Sequence, residues 1–93
     1  MMDERMLRIL TPKQVKIREL AMRAMFWAGE LGDAEAVNDV KRAKGALMKT
    51  LKSLSEYTKI PTDRLFVAVS DTYGQQDHSL DWLRKLGVDM PKM

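Results

Sequence analysis

Two long helical stretches, separated by only Gly32 and Asp33, constrain the fold of this chain more than any other feature. Gly32 is the expected left-handed terminator of the first helix, because glycine adopts that conformation without steric cost. Asp33 is the expected N-cap of the second helix. Because a break of one or two residues brings consecutive helices side by side, we predict an antiparallel hairpin over about 12–31 and 34–57.

The start of the first helix is marked by three residues. Thr11 can cap the helix, Pro12 suits the first helical position, and Gln14 stands where a capping box needs it. The second helix is expected to continue to about Tyr57, through Gly45, at a cost of about 1 kcal/mol relative to alanine there. The hairpin is therefore the framework of the predicted fold.

Shorter helices are expected in the C-terminal third of the chain. They are predicted over about 62–73, closed by Gly74, and from 78 or 79 to 86, closed by Gly87. A further short helix over 3–9 fits the N-terminal pattern, and the tail after Val88 is expected to be loose. The fold class is thus all-α: a single four-helix domain over 1–93, built on the hairpin plus two shorter C-terminal helices.

Composition limits the class of protein. The chain has 93 residues, enough for one domain, and 45% hydrophobic with 31% charged residues is typical of a globular protein. It has no cysteine, which excludes disulfides and thiolate metal sites and fits a reducing cytoplasm. No apolar run reaches the length of a signal peptide or a membrane span. We therefore expect a cytoplasmic protein without a membrane partner.

The core face of the second helix is predicted from residues that fall in one arc at about 100° per residue. These residues are Ala36, Val37, Val40, Ala43, Leu47, Leu51 and Leu54. Val37, Val40, Leu47, Leu51 and Leu54 also approximate heptad core positions, although Lys44 occupies one of them, and this pattern favours dimerisation.

A basic face lies in the neighbouring arc of the same helix. The stretch KRAKGALMKTLK holds five of the chain's 16 basic residues, although the net charge is only +3. Three interpretations stay open: solvated lysines, an acidic protein partner, or nucleic-acid phosphates. The residues concerned are Lys41, Arg42, Lys49 and Lys52, with Lys44 at the boundary and Lys59 further along.

The first helix is apolar on two sides. Its core face is expected to contain Ile17, Leu20, Ala24, Trp27, Ala28 and Leu31. Val15, Met22 and Phe26 form a second ridge nearly opposite, and a helix apolar on two sides is buried on two sides. The ridge is covered by the third helix, by a partner chain such as a second copy, or by an N-terminal segment. That segment would supply Met6, Leu7, Ile9 and Leu10.

The second and third helices partly match the pattern of a helix-turn-helix motif. Leu54, Ile60, Leu65 and Ala68 match its apolar spacing roughly, but Lys59 replaces the usual turn glycine. The reading helix would offer Arg64 as its only basic residue, which is poor for groove contacts. If DNA is bound, the second helix is the better contact surface.

Catalytic and metal-binding patterns are sparse. His78 is the only histidine, and Asp81 three residues later can share its helix face as an acid–base or metal pair. Near a helix start, Asp77, Ser79 and Asp81 are more simply caps. No phosphate loop or nucleophile motif is present. We therefore expect neither an enzyme nor a cofactor nor a small-molecule substrate.

Three aromatic residues have two interpretations each. Trp82 lies beside the helix face formed by the leucines of the last helix. It therefore either covers the core or is an exposed anchor for a partner. Phe66 and Tyr73 can stack on unpaired bases, although aromatics at helical spacing are more often core residues.

Two functional hypotheses follow from different classes. The first is a protein-interaction module, acting through Val15, Met22, Phe26 and Trp82 on a protein partner or a second copy. The second is a nucleic-acid-binding protein, sequence-nonspecific or weakly helix-turn-helix-like, that uses the basic face of the second helix.

Overall fold

The computed structural model describes residues 10–72 and 80–90, which contain helices and no strand. The prediction of an all-α chain built on a hairpin of two long helices, with shorter C-terminal helices, is confirmed. The helices are α1 (Pro12–Asp33), α2 (Val37–Thr58), α3 (Thr62–Ser70) and α4 (Asp81–Lys85). The expected N-terminal helix over 3–9 lies outside the described residues.

The start of α1 is the capping box that the sequence predicts. The Thr11 hydroxyl accepts a hydrogen bond from the Gln14 backbone N–H at 3.1 Å, and the Gln14 side chain accepts one from the Thr11 N–H at 3.0 Å. Gln14 Nε2 also donates to the Asp89 carbonyl at 3.0 Å, which ties the start of α1 to the C-terminal segment. The cap therefore fixes both the helix start and a long-range contact.

The hairpin loop differs from the predicted one. Gly32 and Asp33 belong to α1, and neither stops it nor caps α2. The chain leaves α1 through extended backbone at Ala34, whose N–H donates to the Leu31 carbonyl at 3.3 Å, so no left-handed glycine is needed. Residues 34–36 form the loop, and Ala36 is an N-cap without a side-chain hydrogen bond.

The core lies between the facing sides of α1 and α2, closed by α3 and α4. Its fully buried large side chains are Leu47, Leu51, Leu54, Leu65, Val69, Leu80 and Leu83. Val37 and Ala36 were predicted to join it, and this is wrong: Val37 is 69% exposed and Ala36 is exposed too. Both lie at the hairpin tip, where α1 has ended and offers no facing surface.

The turn between α2 and α3 is made by Lys59, Ile60 and Pro61. Lys59 is left-handed, with φ +65°, and its N–H donates to the Ser55 carbonyl at 2.8 Å. α3 is shorter than predicted, since Asp71 and Thr72 already form a turn. The predicted stop at Gly74 lies outside the described residues.

α4 begins and ends at left-handed residues. Leu80, with φ +58°, precedes Asp81, so the helix starts later than the predicted 78 or 79. It closes at Gly87 as predicted, with φ +95°. The Gly87 N–H donates to the Arg84 carbonyl at 2.9 Å and the Val88 N–H to the Leu83 carbonyl at 3.0 Å, the two bonds of a Schellman motif. Within the described part of the chain, no helix has the length and apolar character needed to cross a membrane.

Candidate interaction surfaces

The outer face of α1, defined here by Val15, Met22, Phe26 and Gly29, points away from the core. Val15 is 41% and Phe26 is 57% exposed, whereas Met22 is partly buried and packs against the core cluster. The Phe26 ring contacts the Trp27 ring edge-on, with centroids 5.1 Å apart. The helix thus presents a large apolar ring to its surroundings.

Besides a partner, the third helix and the N-terminal segment are the predicted covers for this face. The third helix leaves Val15 and Phe26 exposed, so it does not cover them. Of the N-terminal candidates, Leu10 is partly buried, and Met6, Leu7 and Ile9 lie outside the described residues. The N-terminal segment and a partner chain therefore both stay open as covers for Val15 and Phe26.

Gly29 belongs to this face because it follows Met22 by seven residues, a spacing that returns to nearly the same side of a helix. A Cβ at this position would meet no atom within 4 Å. Glycine inside a helix costs about 0.5–1 kcal/mol relative to alanine. Packing within the described protein therefore gives no reason for glycine at this position.

The basic row of α2 consists of Lys41, Arg42, Lys44, Lys49, Lys52 and Lys59, all of them exposed. Arg42 Nη2 lies 3.0 Å from Asp39 Oδ1, which compensates one of the six charges. Between 41 and 52, every exposed residue is lysine or arginine except Gly45. The structure therefore places the five predicted cations from 41 to 52 on the solvent-facing side of α2, whereas Lys59 follows the helix as its C-cap and the exposed Glu56 lies between it and Lys52.

Gly45 lies in the middle of the basic row, and it too has open space where a Cβ would be. Its helical cost relative to alanine, about 1 kcal/mol, has no packing reason inside the described protein. Both candidate surfaces thus contain one exposed or partly exposed helical glycine.

A groove between α3 and α4, of about 820 Å³, is a third surface that the sequence did not predict. Its walls combine both signs of charge with apolar side chains: Asp63, Arg64, Val67, Ala68, Asp71, Thr72, Asp81, Trp82, Lys85 and Leu86. The sequence gives one indication of this groove: Val67, which is 61% exposed, is an apolar residue on the otherwise polar side of α3.

Trp82 is a lid on the core rather than an exposed anchor. Only 5% of its surface is exposed, and it belongs to the core cluster while forming one wall of the groove. Its Nε1 is buried and has no hydrogen-bond partner among the described atoms. Of the four predicted partner-binding residues, Trp82 is therefore the one that the fold separates from Val15, Met22 and Phe26.

The α2–turn–α3 segment resembles a helix-turn-helix in its turn but not in its surface chemistry. Lys59 adopts the left-handed conformation that glycine usually supplies in such a turn. The exposed residues of α3, however, include Asp63 beside Arg64, and Asp71 follows. Acidic side chains on a reading helix repel phosphates, so α3 is a poor groove-reading element.

The proposed pairing of His78 with Asp81 cannot be located, because His78 lies outside the described residues. Asp81 itself forms a salt bridge with Arg84, one turn along α4. In residues 10–72 and 80–90, no cluster of three or more His, Cys, Asp or Glu side chains is arranged to hold a metal ion.

Comparisons of this chain with protein-family models, with curated proteins and with solved structures find no match.

Proposed function

We propose that this cytoplasmic protein acts by binding another protein through the outer face of α1, and that a second copy of the chain is its first partner. The observation that supports this proposal is the 57% exposure of Phe26 on the side of α1 opposite the core. Burying the exposed part of this phenylalanine side chain gains about 1–1.5 kcal/mol. A surface with such a ring is stabilised by any apolar partner of matching shape.

The charges that flank this face favour a second copy over a strongly charged partner. The exposed charged residues of α1 from 15 to 33 are three cations and three carboxylates: Lys16, Arg18, Arg23, Glu19, Glu30 and Asp33. Their formal charges sum to zero, so this side of the helix has no net charge to attract or repel a copy of itself. Isologous dimers need this kind of self-complementary surface.

An antiparallel pairing of two α1 helices about a twofold axis at Met22 brings Val15, Met22 and Gly29 of the two faces together and places each Phe26 four residues from the axis. Val15 and Gly29 are each seven residues from Met22, about 10 Å along the helix. Val15 therefore lies opposite Gly29 of the partner subunit, a large residue against a small one. Met22 lies beside Met22 of the partner subunit, and methionine adapts to irregular contacts.

A charged pair supports the same register. Glu19 and Arg23 lie on one side of the ridge, three residues before and one residue after the twofold axis. In the antiparallel arrangement, Glu19 comes within one turn of Arg23 of the partner subunit. An exposed pair of this kind contributes up to about 1 kcal/mol and favours the antiparallel orientation.

A single helix face forms a small interface. It buries less than the roughly 800 Å² per partner of a standard complex, so we expect a dissociation constant on the order of 10 µM. Because the contact is mainly apolar, its affinity should change little with salt.

Sedimentation equilibrium from about 2 to 300 µM tests the proposal, a range that brackets the expected constant. Wild-type protein should pass from monomer to dimer, and Phe26→Asp should remain monomeric because it removes the most exposed apolar ring of the face and replaces it with a charge. Val37→Asp is the matched control, because Val37 is also an exposed apolar residue but lies at the hairpin tip. Circular dichroism confirms that both variants are folded.

Two results contradict the proposal. Wild-type protein that stays monomeric over the whole range excludes a second copy as the partner. Equal weakening by Phe26→Asp and Val37→Asp excludes the outer face of α1 as the interface.

A further inference from the structure

The basic row of α2 lacks the apolar anchor that a protein partner requires. From 41 to 52 its exposed residues are cations and Gly45, with no exposed apolar side chain among them. Protein interfaces have an apolar core depleted of charged residues, whereas binding to nucleic-acid phosphates is driven by counterion release and needs no such core. The chemistry of this surface therefore fits phosphates better than an acidic protein.

We propose that the basic row of α2 binds the phosphate backbone of duplex nucleic acid without reading its sequence. This surface is separate from the outer face of α1, and the proposal does not depend on self-association.

The length of the row suits a duplex. Within α2, Lys41 and Lys52 are 11 residues apart, about 16 Å along the helix axis. Each strand of duplex DNA carries a phosphate about every 3.4 Å of axis, so several phosphates fall within reach of the row at once. Of the six cations, Arg42 is held by Asp39, and the exposed carboxylate of Glu56 lies between Lys52 and Lys59, so the contacts fall mainly on the four lysines from 41 to 52.

The residue types indicate binding that is independent of sequence. Lysine is a flexible point charge, whereas base edges are read by planar forks and amides such as arginine, asparagine and glutamine. The row has one arginine, already paired, and Asn38 as the only amide on the same helix. The row can therefore hold a backbone but has few groups to distinguish bases.

Gly45 gives the row a position where a phosphate can approach the helix backbone. The residue is exposed and its missing Cβ leaves open space in the middle of the cations. Alanine would fit there without a clash in the free protein. Gly45→Ala should therefore raise the melting temperature by about 4 °C through helix propensity, and lower duplex affinity about threefold.

The experiment is fluorescence anisotropy of a labelled mixed-sequence duplex of about 20 base pairs, titrated with full-length protein at several salt concentrations. With three or four phosphates contacted, the logarithm of the binding constant should fall with the logarithm of salt concentration at a slope of about −3. A second duplex of unrelated sequence should bind within about twofold, since the row contacts phosphates alone.

The decisive variant is the pair Lys49→Glu with Lys52→Glu, which should lower affinity at least about 30-fold at low salt. Its matched control is Lys13→Glu with Lys85→Glu, which changes the net charge equally at exposed positions outside the row. The control pair should lose less than about threefold, because distant charges are screened. Circular dichroism confirms the folding of both.

Three results overturn the proposal. The first is a wild-type protein that does not bind the duplex at about 50 mM salt. The second is an equal loss in the row variant and in the control pair. The third is polyglutamate displacing the duplex as well as unlabelled duplex does, which would assign the row to acidic polypeptides instead.

Discussion

The hydroxyl of Ser55 donates a hydrogen bond to the backbone carbonyl of Ile60 at 2.6 Å, across the turn that joins α2 to α3. The same turn is closed by the Ile60 N–H, which donates to the Thr58 hydroxyl at 3.3 Å. Between them, Lys59 has a positive φ of 65°. Side chains at the end of α2 therefore hold a lysine in a conformation that glycine adopts more readily.

Replacing Lys59 by glycine should stabilise the protein. A residue with a Cβ is strained in the left-handed region, and glycine removes that strain at some cost in unfolded-chain entropy. We expect the free energy of unfolding to rise by about 0.5–1 kcal/mol, measured by urea denaturation. Lys52→Gly, inside α2, is the control and should destabilise by about 1 kcal/mol. A Lys59→Gly protein less stable than wild type would contradict the strain argument.

Replacing Ser55 by alanine should have the opposite effect. The change leaves the Ile60 carbonyl without its donor in a partly buried turn, and the expected loss in unfolding free energy is about 1 kcal/mol. Ser53→Ala is the matched control, since the Ser53 hydroxyl makes no hydrogen bond with described residues and alanine favours the helix. If the two variants are equally stable, the Ser55 hydroxyl does not hold the turn.

The parts of the fold that could be predicted are those fixed by local chemistry. The cap at Thr11 and the stop at Gly87 each depend on a few neighbouring residues, and both have the predicted form. Gly32 shows the limit of such signals. A helix can end in a left-handed glycine or in extended backbone, and α1 ends in the extended residue Ala34, so Gly32 stays helical. The left-handed lysine at position 59 could not be predicted, since it depends on hydrogen bonds from α2 across the turn.

The candidate surfaces were predictable to the extent that helical periodicity separates faces. The cations of the basic row are exposed, as are Val15 and Phe26, whereas Met22 of the same predicted ridge is partly buried against the core. Periodicity did not reveal that Val37 extends beyond the end of α1, because exposure there depends on where the hairpin turns. The groove between α3 and α4 needed the tertiary fold, since it joins residues from two helices.

The contrast between Leu47 and Val37 gives a test of the hairpin core. Leu47 is fully buried whereas Val37 is 69% exposed, although one apolar arc predicted both for the core. Leu47→Ala should lower the unfolding free energy by about 2.7–5 kcal/mol, since it removes buried methyl groups and leaves a cavity. Val37→Ala should change it by less than about 0.5 kcal/mol. Comparable losses measured by urea denaturation would mean that the hairpin tip is packed.

Alanine substitutions at two glycines test the two proposed binding surfaces independently of each other. Gly29 on the outer face of α1 and Gly45 in the basic row have open space around a Cβ, so alanine fits at both. Each substitution should stabilise the monomer by about 0.5–1 kcal/mol through helix propensity, measured by thermal unfolding at a concentration well below the dimer constant.

Each of the two substitutions should weaken a different binding activity and leave the other unchanged. Gly29→Ala narrows the place where Val15 of the partner subunit packs, so self-association should weaken about threefold while duplex affinity stays the same. Gly45→Ala should weaken duplex binding by a similar factor and leave the sedimentation profile unchanged. Because both variants are more stable than wild type, a loss of binding cannot be assigned to unfolding. If Gly29→Ala dimerises as strongly as wild type, the two α1 helices do not approach closely at that position, and the twofold axis at Met22 is wrong.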